Sequence, residues 1–193
     1  MSDIVVFHSV LGLRPVELGL AGRLRAAGHR VTTPDLYAGR TAPTLEEGFA
    51  LKDAVGWETI TGRALDAVRD LPAETVLIGV SMGAGVVGTV LPHRPGTAGV
   101  VLVHAVGALP AGVRAGLPVQ VHVADPDPIA PPAQVAAWRA AAERVGAEAR
   151  VFTYPGLGHF YTDADGPEYD AAAAALTWDR VEEFLSRSRP GSA

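Results

Sequence analysis

Short apolar runs rich in β-branched residues alternate along the chain with longer stretches in which apolar residues recur at helical spacing. Runs such as VVLV show no polar alternation, which is typical of strands that helices cover on both faces. Strands that alternate with helices indicate an α/β protein with a mostly parallel sheet. We predict about six strands, over residues 4–7, 30–33, 75–80, 99–103, 119–123 and 149–154.

Helical patterns lie between the strands and after the last one. Proline favours the first turn of a helix and glycine its end, so a helix is expected over residues 15–27 with Gly28 after it. Without an internal repeat or an interdomain linker, we expect a single domain over residues 1–185 and a flexible tail over 186–193. Three further patterns have the spacing of one buried helical face: Trp57, Ile60, Ala64 and Val68; Val135, Trp138, Ala142 and Val145; and Trp178, Val181 and Leu185.

Composition and charge narrow the possible functions. The chain has 193 residues, 48% of them hydrophobic, which suffices for one folded domain. A formal net charge of -5 and the absence of a long basic run argue against binding to nucleic acid or an anionic membrane. The lack of cysteine excludes a thiol nucleophile and a cysteine-rich zinc site. The N-terminal apolar run is too short for a signal peptide or a membrane span, so we expect a cytoplasmic protein.

The stretch GVSMGAGVVG, residues 79–88, matches two short motifs with different chemistry. Its first five residues read G-x-S-x-G, the turn that presents a nucleophilic serine in α/β-hydrolases. Its last six read G-x-G-x-x-G, a dinucleotide-binding fingerprint that also requires an acidic residue about 20 positions further on. No Asp or Glu occurs between Gly83 and Ala124, which disfavours a nicotinamide or flavin cofactor. We interpret Gly85 and Gly88 as positions that let a helix pack close to the sheet.

The serine motif fits its surroundings. A predicted strand precedes Ser81 and a helical segment follows it. In a nucleophile turn, the positions two before and two after the serine approach too closely for large side chains, which accounts for Gly79 and Gly83. The N-terminal dipole of the following helix favours negative charge near the serine oxygen. Ser81 is therefore the predicted nucleophile.

A carboxylate and a histidine follow Ser81 in the order found in α/β-hydrolases. Asp125 and Asp127 come after the fifth strand, and His159 lies in a glycine-rich loop after the sixth. Taken singly, the aspartates fit a turn, since Asp-Pro often starts one, and the histidine fits a surface loop. Because the carboxyl ends of parallel strands meet at one sheet edge, the three loops together predict a catalytic triad.

Further residues of these loops are expected to complete the site. The oxyanion hole should use two backbone N–H groups, that of Met82 and that of Val10, with Leu11 as the alternative to Val10. His122, inside a strand, is interpreted as structural, and His29 and His93, near helix ends, as solvated. We expect no metal and no cofactor. The residues expected to contact the substrate are His8, Ser9, Leu11, His104 and Phe160.

Five segments, FHSVLGL, TTPDLYAGRTAPTLEEG, GVSMGAG, DPDPIAPP and YPGLGHFYTD, resemble the dienelactone hydrolase family of small α/β-hydrolases. The resemblance covers nearly the whole chain and implies a minimal α/β-hydrolase fold without a cap domain. In that family the catalytic carboxylate stands before a run like PIVPP. Asp127 precedes PIAPP, so the resemblance favours Asp127 over Asp125, which also lies closer to the strand.

The chain departs from the founding pattern of this family at three positions. Ser81 replaces the nucleophilic cysteine, and Ser9 stands where the family has a glutamate. Asp163, four residues after the histidine, replaces an arginine that binds the substrate carboxylate. Negative charge at Asp163 and Asp165 would repel a carboxylate, so a preference for neutral acyl groups is expected, with Arg40 as the candidate cation otherwise.

These patterns predict a serine hydrolase that cleaves a small ester or lactone through an acyl-enzyme intermediate. We expect it to act as a monomer or homodimer. Two alternatives remain at this level. A thioesterase or acyltransferase would use the same triad, and a non-catalytic hydrolase fold would only bind a small ligand.

Overall fold

The computed structural model describes residues 1–187, and its centre is one six-stranded sheet. All neighbouring strands are parallel. The predicted α/β class and all six predicted strands are confirmed. The strands are β1 Asp3–Phe7, β2 Arg30–Thr32, β3 Val76–Val80, β4 Val100–Val103, β5 Pro118–Asp125 and β6 Glu148–Pro155. Their order across the sheet is β2-β1-β3-β4-β5-β6.

Within residues 1–187, six α-helices surround the sheet. They are α1 Pro15–Ala26, α2 Leu45–Val55, α3 Trp57–Val68, α4 Met82–Val90, α5 Pro132–Arg144 and α6 Ala171–Arg187, with a short 3-10 helix at Leu91–His93. Alternate residues of a strand point to opposite faces, so each central strand contributes to two apolar cores. Helices α1 and α6 pack on one face, against residues such as Ile4 and Ile78. Helices α3, α4 and α5 pack on the other, against residues such as Val5 and Leu77.

The predicted helices are present, with three differences. Helix α2 was not predicted, because its only buried residue is Gly48 and no apolar face repeats along it. Trp57 does not belong to the buried face of α3, since it is 43% exposed at the start of that helix. Helix α6 extends through Arg187, so Ser186 and Arg187 are helical rather than part of a tail. The rest of the predicted tail lies outside the described residues.

The end of α1 follows the predicted pattern. The helix stops at Ala26, and Gly28 adopts a φ of 88°, a left-handed conformation that glycine takes without strain. Among residues 1–187, no helix combines the length and apolar character needed to cross a lipid bilayer.

Candidate active site

Ser81 lies on a sharp turn between β3 and α4. Its backbone has a φ of 51° and a ψ of −109°, a conformation that a residue with a side chain seldom adopts. The turn is fixed from both sides, because the Ser81 N–H donates to Val103 O at 2.8 Å and Ala84 N–H donates to Ser81 O at 2.9 Å. Strain of this kind is characteristic of a serine held for chemistry.

The two glycines of the G-x-S-x-G turn have no room for a side chain. A Cβ on Gly79 would overlap the carbonyl of Gly83, and a Cβ on Gly83 would overlap the carbonyl of Phe7 in β1. Gly85 and Gly88 differ from our expectation that they pack against the sheet. A Cβ on Gly88 would lie 2.9 Å from Ala108 O, in the loop after β4, and one on Gly85 would lie 3.3 Å from the Trp57 ring.

Residues 83–88 do not form a phosphate-binding turn. All three glycines of the second motif lie within α4, which begins at Met82. A dinucleotide fingerprint instead places its first glycines in the turn before the helix. The motif is therefore explained by close packing around α4.

The substitution Gly83→Ala is expected to destabilise the fold strongly, by about 3 kcal/mol or more, because rigid backbone leaves no room for the methyl group. Gly85→Ala is the matched control, since the half-exposed Trp57 ring can yield and alanine gains about 1 kcal/mol of helix propensity over glycine. Urea denaturation of both variants measures the difference. Equal stabilities would contradict the close approach of α4 to β1.

Ser81, His159 and Asp127 form a continuous hydrogen-bonded chain. Ser81 Oγ lies 3.0 Å from His159 Nε2, and His159 Nδ1 lies 2.7 Å from Asp127 Oδ2. All three side chains are buried. In a neutral imidazole with its proton on Nδ1, Nδ1–H donates to the carboxylate and Nε2 accepts from the serine hydroxyl. The loops after β3, β5 and β6 thus meet at one edge of the sheet, as their order along the chain predicts.

The loop after β5 brings Asp127, and not Asp125, to the histidine. The other carboxylate oxygen of Asp127, Oδ1, accepts the N–H of Ile129 at 2.8 Å and of Ala130 at 3.3 Å. Asp125 is still part of β5, where its carbonyl accepts the Gly156 N–H at 2.8 Å.

The hydrogen bonds of Asp127 keep its carboxylate ionised. Burial alone would raise the pKa of Asp127, but the hydrogen bond and charge of His159 and two backbone N–H groups outweigh it and hold that pKa below its usual value. The ionised carboxylate can therefore orient the imidazole and stabilise its protonated form.

The loop after β1 contains the candidates for the second backbone donor of the oxyanion hole. The Leu11 N–H points to Ser9 Oγ at 3.4 Å, and the Gly12 N–H donates to Ser9 O at 3.2 Å. Within the described residues, the Val10 N–H donates no hydrogen bond. Met82 is the first residue of α4, where backbone N–H groups have no partner inside the helix. This pattern favours Val10 over Leu11 as the second oxyanion donor, together with Met82.

Three of the residues expected to contact the substrate lie below the surface. Ser9, His8 and His104 are almost fully buried. His8 Nδ1 donates to Ser9 O at 2.7 Å and His8 Nε2 accepts from the Leu36 N–H at 3.0 Å, so its ring joins two loops in one neutral tautomer. Burial lowers the pKa of His8 in spite of its carbonyl partner. Their positions correct our expectation: these side chains support the loops of the site and do not line it.

Leu11 and Phe160 belong to an apolar cluster beside the serine and the histidine. Phe160 follows His159 directly, and Met82 follows Ser81. The Tyr37 hydroxyl lies 3.1 Å from Met82 Sδ, so Tyr37 supports the Met82 side of this cluster. Helix α2 and the segment before it also contribute apolar side chains to this cluster, which no sequence pattern indicated. The members of the cluster are Val10, Leu11, Ala42 and Phe160, with Leu45, Leu51 and Met82 packed against them.

The remaining histidines divide as follows. His122 is structural as expected: it is hydrogen-bonded to Tyr154 and Gln120, and burial lowers its pKa to about 3. His93 is exposed, as expected. His29 is buried, contrary to expectation, and its Nδ1 accepts the Ser2 N–H at 3.3 Å. Residues 1–187 contain no group of three or more histidine and acidic side chains arranged to hold a metal ion.

The model of the dienelactone hydrolase family matches residues 1–188. The chain belongs to the dienelactone hydrolase family. Membership of this family supports a hydrolase. No curated protein matched the sequence.

Solved structures show the same fold at low sequence identity. A dienelactone hydrolase-like promiscuous phosphotriesterase from metagenomic libraries is similar with a TM-score of 0.76 and 22% identity, over 97% of this chain and 86% of that one. Esterase PE8 is similar with a TM-score of 0.67 and 18% identity, over 94% and 92%. A thermophilic esterase of Thermogutta terrifontis, with propionate bound, has a TM-score of 0.71 and 15% identity, over 96% and 83%. At these identities the likeness establishes the fold alone.

The aspartate that replaces the family arginine forms an ion pair with a residue from another part of the chain. Asp163 stands four residues after His159, and its Oδ2 accepts from Arg14 Nη2 at 2.5 Å. Only 5% of the Asp163 side chain and 17% of the Arg14 side chain are exposed. This ion pair contradicts the premise that the Asp163 charge is free to repel a substrate carboxylate. Asp165, the second residue behind that expectation, is exposed, and the preference for neutral acyl groups stays a prediction. Arg40, the other candidate cation, is exposed and donates to Tyr37 O at 3.3 Å.

Proposed function

We propose that this member of the dienelactone hydrolase family is a serine hydrolase that cleaves small esters or lactones through Ser81, His159 and Asp127. The observation that carries the proposal is the unbroken hydrogen-bonded chain from Ser81 Oγ through the imidazole to Asp127 Oδ2. It is supported by the strained turn at Ser81. It is also supported by the Met82 N–H at the start of α4 and by Val10, whose apolar cluster Met82 packs against. This combination of nucleophile, base and orienting carboxylate is the arrangement that acyl transfer requires.

In the first half of the reaction, Ser81 Oγ attacks the ester carbonyl while His159 Nε2 takes the hydroxyl proton. The negative charge on the carbonyl oxygen is stabilised by the N–H groups of Met82 and Val10 and by the N-terminal end of α4. The imidazolium stays paired with the ionised Asp127. It then donates its proton to the departing alcohol, which leaves an acyl group on Ser81.

The second half repeats these steps with water. His159 Nε2 takes a proton from water, and the resulting nucleophile attacks the acyl carbon. The same two N–H groups hold the new oxyanion. When the intermediate collapses, His159 returns the proton to Ser81 Oγ and the carboxylic acid is released. For a lactone, acid and alcohol leave as one molecule.

The proposal is tested first by labelling with a fluorophosphonate, which reacts with activated serines, followed by peptide mapping. We expect a single adduct on Ser81 and hydrolysis of short-chain p-nitrophenyl esters. Propionate, the ligand of the Thermogutta esterase, makes two- to four-carbon acyl groups the sensible start of the panel. Labelling without hydrolysis but with acyl transfer from a thioester would favour the thioesterase or acyltransferase alternative. Failure to label would favour a non-catalytic ligand-binding fold.

A preference for neutral substrates is expected for a reason other than repulsion. The family arginine that binds a substrate carboxylate is absent at Asp163, and the charge of Arg14 is already taken by Asp163. An acidic substrate would therefore lose hydration of its carboxylate without gaining a charge-assisted hydrogen bond in return. Such a bond is worth about 1.5–3 kcal/mol, or roughly a tenfold to hundredfold effect. Comparison of kcat/KM for dienelactone and for its methyl ester measures the preference. A clear preference for the free acid would point to another cation, with Arg40→Gln as the variant to examine.

A further inference from the structure

Two consecutive residues of the loop that carries His159 each form a side-chain contact with a residue outside that loop. Thr162 Oγ1 lies 2.7 Å from His104 Nε2, and Asp163 Oδ2 lies 2.5 Å from Arg14 Nη2. Both follow His159 within a single short turn, in which the Asp163 N–H donates to Phe160 O at 2.9 Å. The position of the imidazole therefore depends on what holds Thr162 and Asp163.

Arg14 connects this turn to the oxyanion loop. The buried Glu17 carboxylate accepts the Arg14 N–H at 3.1 Å through Oε2 and the Ser9 N–H at 3.1 Å through Oε1. Residues 9–14, which include the proposed donor Val10, are thus fixed as one unit on the first turn of α1. The Arg14 side chain links that unit to Asp163.

His104 connects the same turn to the serine turn. It directly follows Val103, whose carbonyl accepts the Ser81 N–H at 2.8 Å. Its φ of 68° is unusual for a histidine, and strain of this sort persists only where the surroundings hold it. The His104 ring centroid lies 5.5 Å from that of His159.

The His104 ring adds no charge beside the base. Burial, followed by the nearby His159 and His122, keeps the pKa of His104 well below its usual value. It is therefore neutral when His159 takes a proton, and it is suited to holding a loop rather than to proton transfer.

We propose that Arg14 and His104 are positioning residues, which set the His159 imidazole against the serine turn and the oxyanion loop through Asp163 and Thr162. This inference rests on the proposed function of the same site. The His104–Thr162 contact is buried and the Arg14–Asp163 contact is partly buried. The loss of either partner therefore leaves a polar group without compensation and displaces the loop. A displacement of about 1 Å at a catalytic group can cost roughly a hundredfold in rate.

The kinetic test compares variants that break one contact each. Thr162→Val removes the hydroxyl that meets His104 at nearly constant volume, and Thr162→Ser restores it. Arg14→Gln removes the link to Asp163. Arg23 also belongs to α1, and it forms solvent-accessible ion pairs with Asp179 and Glu182. Arg23→Gln removes these pairs and serves as the control.

We expect Thr162→Val and Arg14→Gln each to lower kcat by about tenfold or more, with KM changed less than about threefold, since binding contacts stay in place. Thr162→Ser and Arg23→Gln should keep the kcat of the unaltered protein. If Arg14→Gln fails to fold because Asp163 is left charged and buried, the double variant Arg14→Gln/Asp163→Asn removes both charges. A fall in melting temperature with an unchanged kcat would overturn the proposal.

A second readout does not depend on turnover. The Nδ1–H of a histidine bonded to a carboxylate gives a far-downfield proton NMR signal, here from His159 and Asp127. We expect the signal to broaden or vanish in Thr162→Val and Arg14→Gln and to persist in Thr162→Ser and Arg23→Gln. An unchanged signal in the first two would overturn the positioning role. If the unaltered protein hydrolyses no ester and is not labelled, the proposed function fails. The NMR signal still tests whether Arg14 and His104 position the His159 imidazole.

Discussion

Ser81→Ala is expected to remove nearly all ester hydrolysis while leaving the fold intact. The variant loses the atom that forms the acyl bond, whereas the N–H groups of Met82 and Val10 remain. In a well-studied serine protease, removal of the nucleophile lowers kcat about 10⁶-fold, and the oxyanion hole and substrate binding alone keep roughly 10³–10⁴-fold over water. For this chain we expect a loss of at least about 10³-fold. Initial rates with an activated ester measure it.

Two controls make the Ser81→Ala result specific. The melting temperature should change little, since the substitution removes one oxygen and leaves the backbone of the turn in place. Ser186→Ala changes an exposed serine whose hydroxyl donates to Glu183 O, and this variant should keep full activity and full labelling by the phosphonate. Turnover by Ser81→Ala near that of the unaltered protein would mean that another group is the nucleophile.

The strands and most helices follow from the sequence because each is a local pattern. An apolar run such as VVLV or a 3.6-residue repeat is sufficient to indicate them. Helix α2 lacks such a face, yet its start carries a readable signal. The Thr44 hydroxyl caps the helix by accepting the Glu47 N–H at 3.2 Å, so the T-x-x-E pattern marked a helix that the periodicity did not.

The relative placement of Ser81, Asp127 and His159 could be anticipated because topology carries it. Each residue follows a parallel strand, and such strand ends share one edge of the sheet. The partner of Asp163 could not be anticipated in this way. Arg14 lies 149 positions earlier, and no local pattern links the two. The negative charge of Asp163 alone was therefore a poor guide to the net charge in that part of the site.

The supporting histidines illustrate the same limit. His8 and His104 stand at strand ends, which is where residues that line a site are found. Whether such a side chain faces the substrate or the loop beneath depends on the path of the neighbouring loop. Here the Leu36 N–H donates to His8 Nε2, and the Thr162 hydroxyl is hydrogen-bonded to His104 Nε2. Both rings therefore point towards supporting loops rather than towards the substrate.

Asp127→Asn is expected to lower kcat by about 10⁴-fold, as the same change does in a comparable triad. Its Oδ1 can still accept the N–H groups of Ile129 and Ala130, so the loop should keep its shape. At Oδ2 an amide NH₂ would face His159 Nδ1. Two donors cannot share that contact, so the ring is driven to the tautomer with its proton on Nε2. That nitrogen then cannot accept the Ser81 proton, and the charge that stabilised the imidazolium is gone.

Asp125→Asn is the matched control, because it makes the same chemical change two residues earlier, at the end of β5. The Asp125 carbonyl, which holds Gly156, is unaffected by a side-chain amide, so we expect kcat to stay within about twofold of the unaltered protein. Measurement of kcat with melting temperatures separates catalysis from folding. An inactive Asp125→Asn beside an active Asp127→Asn would mean that the loop after β5 presents the other carboxylate to His159 in solution.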